Sequence, residues 1–219
     1  MEPFSKVELH LHPVLAIYIG DVSLTGDVPA DAARLLRDRG RAETADHSRR
    51  VAAAAQRLAR RWGEDETSAE VAGWLHDISA IVPREHRLQV TETLGVEVLA
   101  EERIAPVLVH QKLSAVIAQE VFAVVDRAVL SAIGCHTTLK VNSSALDKIV
   151  FVADKMAWDQ PGTPPYLATM ASAADRSLDL AAYCYLDYLW QRRATLPAMH
   201  PWALEAYRQL SAHVRQGQA

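Results

Sequence analysis

Residues 43–81 read ETADHSRRVAAAAQRLARRWGEDETSAEVAGWLHDISAI, and this stretch decides the fold. In its first half Val51, Ala54 and Leu58 recur on one helical face, among arginines on the other. Gly63, followed by Glu64-Asp65-Glu66, marks a helix stop and a fresh start. The second half places Val71, Trp74, Leu75 and Ile78 on one face. The periodicity predicts helices over 43–62 and 67–81. The same reading outward predicts helices over 29–39, 84–94, 96–103, 106–118, 126–137, 143–158, 166–193 and 199–214. Pro83, Gly95, Pro106, Asn142-Ser143 and the loop Gln160-Pro161-Gly162-Thr163-Pro164-Pro165 separate them. The chain is therefore predicted to be all-α, a helical bundle.

Residues 1–27 read differently. VELHLH alternates apolar and polar residues, and VLAIYIGDVSL is rich in β-formers, so one or two short strands are expected in a β-containing or irregular lead. The expected organisation is a lead over 1–40, a main helical domain over 41–195, and a C-terminal helix over 196–219 packing on that domain.

Composition narrows the function. The chain has 219 residues, 50% hydrophobic, with a formal net charge of −4. That length buries a sizeable core without disulfides or structural zinc. The absence of a basic excess argues against nucleic acid as a partner. No apolar run approaches the roughly 20 residues that span a bilayer, so no membrane association is expected. The N-terminus shows no basic start followed by an apolar core, so no secretory signal is read there. Cys135 and Cys184 stand far apart with no CxxC pair. A reduced cytoplasmic setting fits best, with a single disulfide as the alternative.

The chemistry lies in what interrupts the apolar faces. His47 shares a face with Val51, Ala54 and Leu58. His76 and Asp77 end the helix carrying Val71, Trp74 and Leu75. His110 lies with Val107, Ser114 and Ile117. His136 follows Val129, Ala132 and Ile133. Asp154 sits on the face of Leu146, Val150 and Phe151. Any one histidine alone reads as a hydrogen-bonded core residue. An inward carboxylate without a partner costs several kcal/mol, and Lys155 points about 100° away on a helix. Four histidines and two aspartates together point to a shared metal site. Imidazole with carboxylate suits Fe, Mn, Zn, Co or Ni and fits Ca poorly. Six ligands exceed what one tetrahedral zinc uses and suit two ions. Paired ions clamp an in-line displacement at phosphorus.

This ordered set resembles the HD superfamily of metal-dependent phosphohydrolases. The stretch from about 44 to 195 resembles its YqeK-type branch, the symmetrical bis(5′-nucleosyl)-tetraphosphatases. The residues that carry the resemblance are His47-Ser48-Arg49-Arg50-Val51-Ala52, Ala72-Gly73-Trp74-Leu75-His76-Asp77-Ile78, Ala132-Ile133-Gly134-Cys135-His136-Thr137-Thr138 and Phe151-Val152-Ala153-Asp154-Lys155. It implies an HD phosphohydrolase domain over 41–195 and metal ligation by His47, His76, Asp77, His110, His136 and Asp154. His76 and Asp77 would be catalytic, with Asp77 bridging two divalent ions. Iron is implied, with Mn, Co, Ni or Zn as substitutes. The implied reaction is hydrolysis of diadenosine tetraphosphate to two ADP, by in-line attack of a di-metal-bound hydroxide. A homodimer is also implied. The alternatives are a phosphatase or phosphodiesterase on another nucleotide, or a non-catalytic nucleotide sensor.

The sequence departs from that pattern beside the ligands. Ser79-Ala80 stand where the family commonly carries a lysine. Gln111-Lys112-Leu113-Ser114 follow His110, Leu139-Lys140 follow Thr138, and Met156-Ala157-Trp158 follow Lys155. Basic residues near the ligands are candidates for substrate binding: Lys112, Lys140, Arg84 and Lys155, with His86 nearby. Lys112 is a candidate to replace the absent lysine. Thr137 reads either as a phosphate contact or as a helix cap. Trp158 reads as a base-stacking residue or a loop anchor. No residue stands out as a general acid. At the N-terminus, His10 and His12 resemble the HxH metal motif of adenosine-deaminase-type amidohydrolases. No βα repeat follows, and a strand or dimer contact is the preferred reading.

Overall fold

The computed structural model describes residues 11–158 and 160–216. Among them there are twelve α-helices and no β-strand. In chain order these are α1 (Pro13–Ile19), α2 (Val28–Asp38), α3 (Ala42–Trp62), α4 (Glu66–Leu75), α5 (Arg84–Thr93), α6 (Ala100–Ile104), α7 (His110–Glu120), α8 (Arg127–Cys135), α9 (Ala145–Met156), α10 (Leu167–Ala174), α11 (Leu178–Gln191) and α12 (Pro201–Gln216). Short 3-10 turns at Ile78–Ile81 and Pro106–Val109 precede α5 and α7.

The strand reading of 14–24 is corrected. Leu15 and Ile19 are four residues apart, both buried, and belong to α1. Pro13 presets the first turn, the His12 ring accepts from the Val14 amide, and Gly20 at φ +57° ends the helix. The Arg39 guanidinium clasps the carbonyls of Tyr18 and Ile19, fixing α1 on α2. Tertiary packing here outweighs β-propensity. His12 is the cap of α1, whereas His10 and most of the strand expected over VELHLH lie outside the described residues.

The helix predicted over 166–193 is two helices. Ser177 is extended and its hydroxyl accepts from the Leu180 amide, so it stops α10 and starts α11. The helix predicted over 67–81 leaves α-geometry after Leu75.

The core gathers around α3, which packs closely on α4 and α9. α3 is lined inward by Ala45, Ala52, Ala55 and Ala59, small enough for backbones to approach. The tightest point is Gly73 of α4. A Cβ there would lie 2.5 Å from Ala52 Cα and 2.8 Å from Ala52 N. Those atoms are backbone and cannot swing away. Gly73→Ala is expected to force α3 and α4 apart, at a cost of about 1–3 kcal/mol or more. Because His47 and His76 flank this contact, divalent-metal affinity should fall with thermal stability. A melting curve with and without added metal checks this. An unchanged Tm would contradict the close approach.

α12 closes the bundle against α11. Tyr207 stacks on Tyr183 (5.9 Å between centroids) and on Trp190 (5.1 Å), and both tyrosine hydroxyls donate to Asp187. Cys135 and Cys184 are free thiols. No helix among the described residues is long and apolar enough to cross a membrane.

Candidate metal centre

Five elements deliver six side chains to one point. His47 comes from the second turn of α3 and Asp154 from the last turn of α9, with His47 Nε2 3.1 Å from Asp154 Oδ1. His76 and Asp77 follow α4 immediately. On a continuous helix, adjacent residues point about 100° apart. The departure from α-geometry at Asp77 (φ −110°, ψ 18°) turns both side chains to the same centre. His110 begins α7 and His136 ends α8.

Three of the histidines are oriented by one device. Nδ1 of His76, His110 and His136 donates to the carbonyl three residues earlier, on Gly73 (2.7 Å), Val107 (2.5 Å) and Ile133 (2.8 Å). A carbonyl only accepts, so each Nδ1 carries the proton and each Nε2 lone pair faces the centre. His76 Nε2 is fully buried without a hydrogen bond, 3.5 Å from Asp77 Oδ2 and 3.6 Å from Asp154 Oδ1. The Nε2 atoms of His110 and His136 face each other at 3.0 Å. Ring nitrogens set against carboxylates and against each other need a proton or a metal cation between them, and several such pairs at one point are relieved together by a divalent ion. That is the fit expected for a divalent metal, with carbonyls as the orienting outer partners. Among the described residues, two ligand groups are close enough to hold an ion: His47, His76 and Asp154, and His76, Asp77 and His136. Asp77 Oδ2 faces His76, whereas Oδ1 faces His110 (3.2 Å) and His136 (3.6 Å).

The electrostatics show the same crowding. Burial opposes charge on His76, but Asp77 and Asp154 outweigh it and raise its pKa to about 9, so without metal Nε2 holds a proton that a divalent ion would displace on binding. His136 is driven well below the usual histidine range, by burial first and then by His76 and His110. Burial resists ionisation of Asp77 and Asp154, yet the imidazoles, and Lys155 for Asp154, hold both well below the usual carboxylate range. Asp77 is 29% exposed while His76 is closed to solvent, so Asp77 is the most solvent-open of the six.

Buried polar residues lock this arrangement. The Ser79 hydroxyl donates to the His110 carbonyl (3.0 Å), and the Ser79 amide donates to Ser114 (3.2 Å). The Gln111 carboxamide accepts from the Thr137 and Thr138 amides (3.1 and 3.2 Å). Ser79 and Gln111, two of the departures noted in the sequence, thus tie His110 to its neighbouring ligands.

The substrate-side candidates divide. Thr137 Oγ1 lies 3.1 Å from His110 Nε2, at the centre. Lys155 also reaches the centre, but as a partner of Asp154 (2.5 Å to Oδ2) and of the His136 carbonyl (3.0 Å). The expectation that Lys155 avoids Asp154 is corrected, because its flexible stem folds back along Phe151 and Tyr185. Lys112 is corrected as well. It is buried and bonded to Glu102 Oε2 (2.8 Å) and the Glu97 carbonyl (2.9 Å), beneath Trp202. Buried His200 meets the other Glu102 oxygen at 3.3 Å. Lys140 is committed to Ser131 (2.5 Å) and lies 3.7 Å from Asp147, where it joins α8 to α9. Lys112→Ala is therefore expected to cost stability, about 3–5 kcal/mol for a buried Glu102 stripped of its ammonium partner, and to leave the substrate KM unchanged. Thermal melts beside steady-state kinetics check both. Although burial opposes it, bonding to His200 and Lys112 holds the Glu102 carboxyl below the usual range. Its contribution is present above the ordinary glutamate range and is lost as pH falls through the lower folded value.

Arg84 opens a wide cleft of about 870 Å³ beside the centre, shared with Arg41, Arg87, Glu43 and Glu85. Arg41 donates to the Ala80 carbonyl (2.8 Å) and Arg87 to the Val82 carbonyl (3.1 Å). Burial lowers the Arg87 guanidinium pKa; Asp77 opposes that shift, and Arg84 and Arg41 add to it. Sequence reading missed Arg41 and Arg87. Arg87 was findable, three residues after Arg84 and hence on the same face; Arg41 left no such signal.

Residues 44–159 match the HD domain family, more than half of the chain. The chain belongs to the HD-domain family. It is an HD-domain hydrolase, and the metal-compatible cluster is the one just described. A crystal structure of an HD superfamily hydrolase from Clostridium acetobutylicum, described as involved in NAD metabolism, superposes with a TM-score of 0.77 at 26% identity. It covers 88% of this chain and 100% of the other. A Lactococcus lactis subsp. cremoris protein, named only for its place in the pepC 5′ region, is 43% identical over 145 residues, 66% of this chain and 73% of that one. The symmetrical bis(5′-nucleosyl)-tetraphosphatase of Bacillus subtilis is 32% identical over 99 residues, 44% of this chain and 52% of that protein. The Staphylococcus aureus protein of the same name is 30% identical over 125 residues, 56% and 63% respectively. The matches span about half to two-thirds of these tetraphosphatases' length.

Proposed function

We propose that this HD hydrolase cleaves dinucleoside tetraphosphates symmetrically, diadenosine tetraphosphate giving two ADP. The observation that carries the reading is the set of Nε2 lone pairs and two carboxylates aimed at one point. The relatives named as symmetrical tetraphosphatases support the substrate. In this reading His47, His76, Asp77, His110, His136 and Asp154 would hold two divalent ions. Iron is the proposed metal, with Mn, Co, Ni or Zn as substitutes. Such ions, when bound, acidify a water and offset phosphoryl charge.

The chain's own residues do the rest. The i−3 carbonyls hold each imidazole in one tautomer. Lys155 keeps Asp154 ionised and in place. Thr137 offers a hydroxyl beside His110. Arg41, Arg84 and Arg87 offer fixed cations for the phosphates that extend away from the reacting one. ADP is a weakly basic leaving group, so no strong general acid is required. The proposed setting is a homodimer in the cytoplasm, in keeping with two free thiols. We propose the divisions 1–40, 41–195 and 196–219 for the lead, the HD domain and the closing helix.

Chromatography of the products from diadenosine tetraphosphate tests this reading. ADP as sole product is expected. ATP plus AMP would reject symmetry. Phosphate released from mononucleotides instead would favour a phosphomonoesterase, and nucleotide binding without turnover a sensor.

A further inference from the structure

Beyond the end of α9 lies a hollow of about 270 Å³, walled by Trp158, Tyr166, Tyr185 and Tyr188, with Pro161 and Pro164 at its rim. Its size is near the lower end of ligand clefts, roughly 300 Å³, which suits one ring system rather than a peptide. Trp158 is 38% exposed, yet its indole N–H donates to the Gly162 carbonyl at 3.0 Å. An aromatic face is thus held open to solvent in one orientation. The tyrosines brace each other: Tyr166 lies 4.9 Å from Tyr185 and 5.1 Å from Tyr188. Among the described residues, the hydroxyls of Tyr166, Tyr185 and Tyr188 have no hydrogen-bond partner. Flat apolar faces beside unused hydroxyls suit a planar heterocycle with a polar edge.

The hollow adjoins the metal centre. Lys155 Nζ lies 5.2 Å from the Tyr185 centroid and 2.5 Å from Asp154 Oδ2. Trp158 follows Asp154 by four residues. We propose that this aromatic hollow is the nucleobase site: one base of the substrate rests on Trp158, with the tyrosine hydroxyls at its edge and its phosphates leading toward Asp154. The inference rests on the nucleotide-hydrolase reading, from which its test is separable.

The test is calorimetric titration of the metal-loaded full chain with ADP, with inorganic pyrophosphate and with adenosine. Base–aromatic stacking predicts that Trp158→Ala weakens ADP by about tenfold or more. Pyrophosphate should bind both proteins equally, and Trp158→Phe should restore most of the ADP affinity. Adenosine has no phosphate and reads the hollow alone. If adenosine binds wild type and not Trp158→Ala, the base site holds even should no polyphosphate be hydrolysed. Equal ADP and adenosine affinity in wild type and Trp158→Ala would overturn the proposal. Parallel loss of ADP and pyrophosphate would also overturn it, because that pattern marks a structural role.

Discussion

Asp77→Ala is expected to abolish turnover and to strip the centre of metal. The carboxylate faces histidines on two sides, Oδ2 toward His76 and Oδ1 toward His110 and His136. Without it, three imidazoles with fixed tautomers converge on a site lacking its central negative charge. Loss of an outer partner alone typically costs about 10–100-fold in metal affinity or activity, so loss of this ligand should exceed roughly 100-fold in both. Rates and elemental analysis on the same sample check this. Full activity in Asp77→Ala would remove Asp77 from the site. Thermal stability should fall as well, because Asp77 is a countercharge for the imidazoles around it and the metal it helps to hold is lost with it.

Lys155→Met is expected to act through the metal and not through the substrate. The ammonium is 9% exposed and bonds Asp154 and the His136 carbonyl, joining two ligands from different helices. Its loss leaves Asp154 with a weaker countercharge and one carbonyl unpaired. Metal affinity should fall by about 10–100-fold. At saturating metal, kcat should recover while KM stays near the wild-type value. The opposite pattern, normal metal affinity with a raised KM, would return Lys155 to the substrate-binding role read from its position in sequence.

The helices around the centre were legible because their apolar spacing is strong, and the six polar interruptions stood out against it. Three features were not legible. The lead folded as α1 because Pro13 presets its first turn and Arg39 holds the carbonyls of Ile19 and Tyr18, 20 and 21 residues before it, a contact that the alternation in VLAIYIG does not report. The turn after His76-Asp77 is tied at Ser79 to Ser114 and to the His110 carbonyl of α7, more than 30 residues away in sequence. Lysine partners were misjudged most. Lys112, Lys140 and Lys155 sit beside ligands in sequence, but their long stems carry each ammonium to Glu102, Ser131 or Asp154. Sequence adjacency reports where a lysine starts, and burial of a carboxylate decides where it ends.

Metal content of the wild-type chain, purified without oxygen and measured by elemental mass spectrometry, tests the central claim most directly. Two transition-metal ions per chain, iron foremost, is the predicted result. No bound metal after loading with Fe(II) or Mn(II), in protein with a native melting transition, would contradict the account.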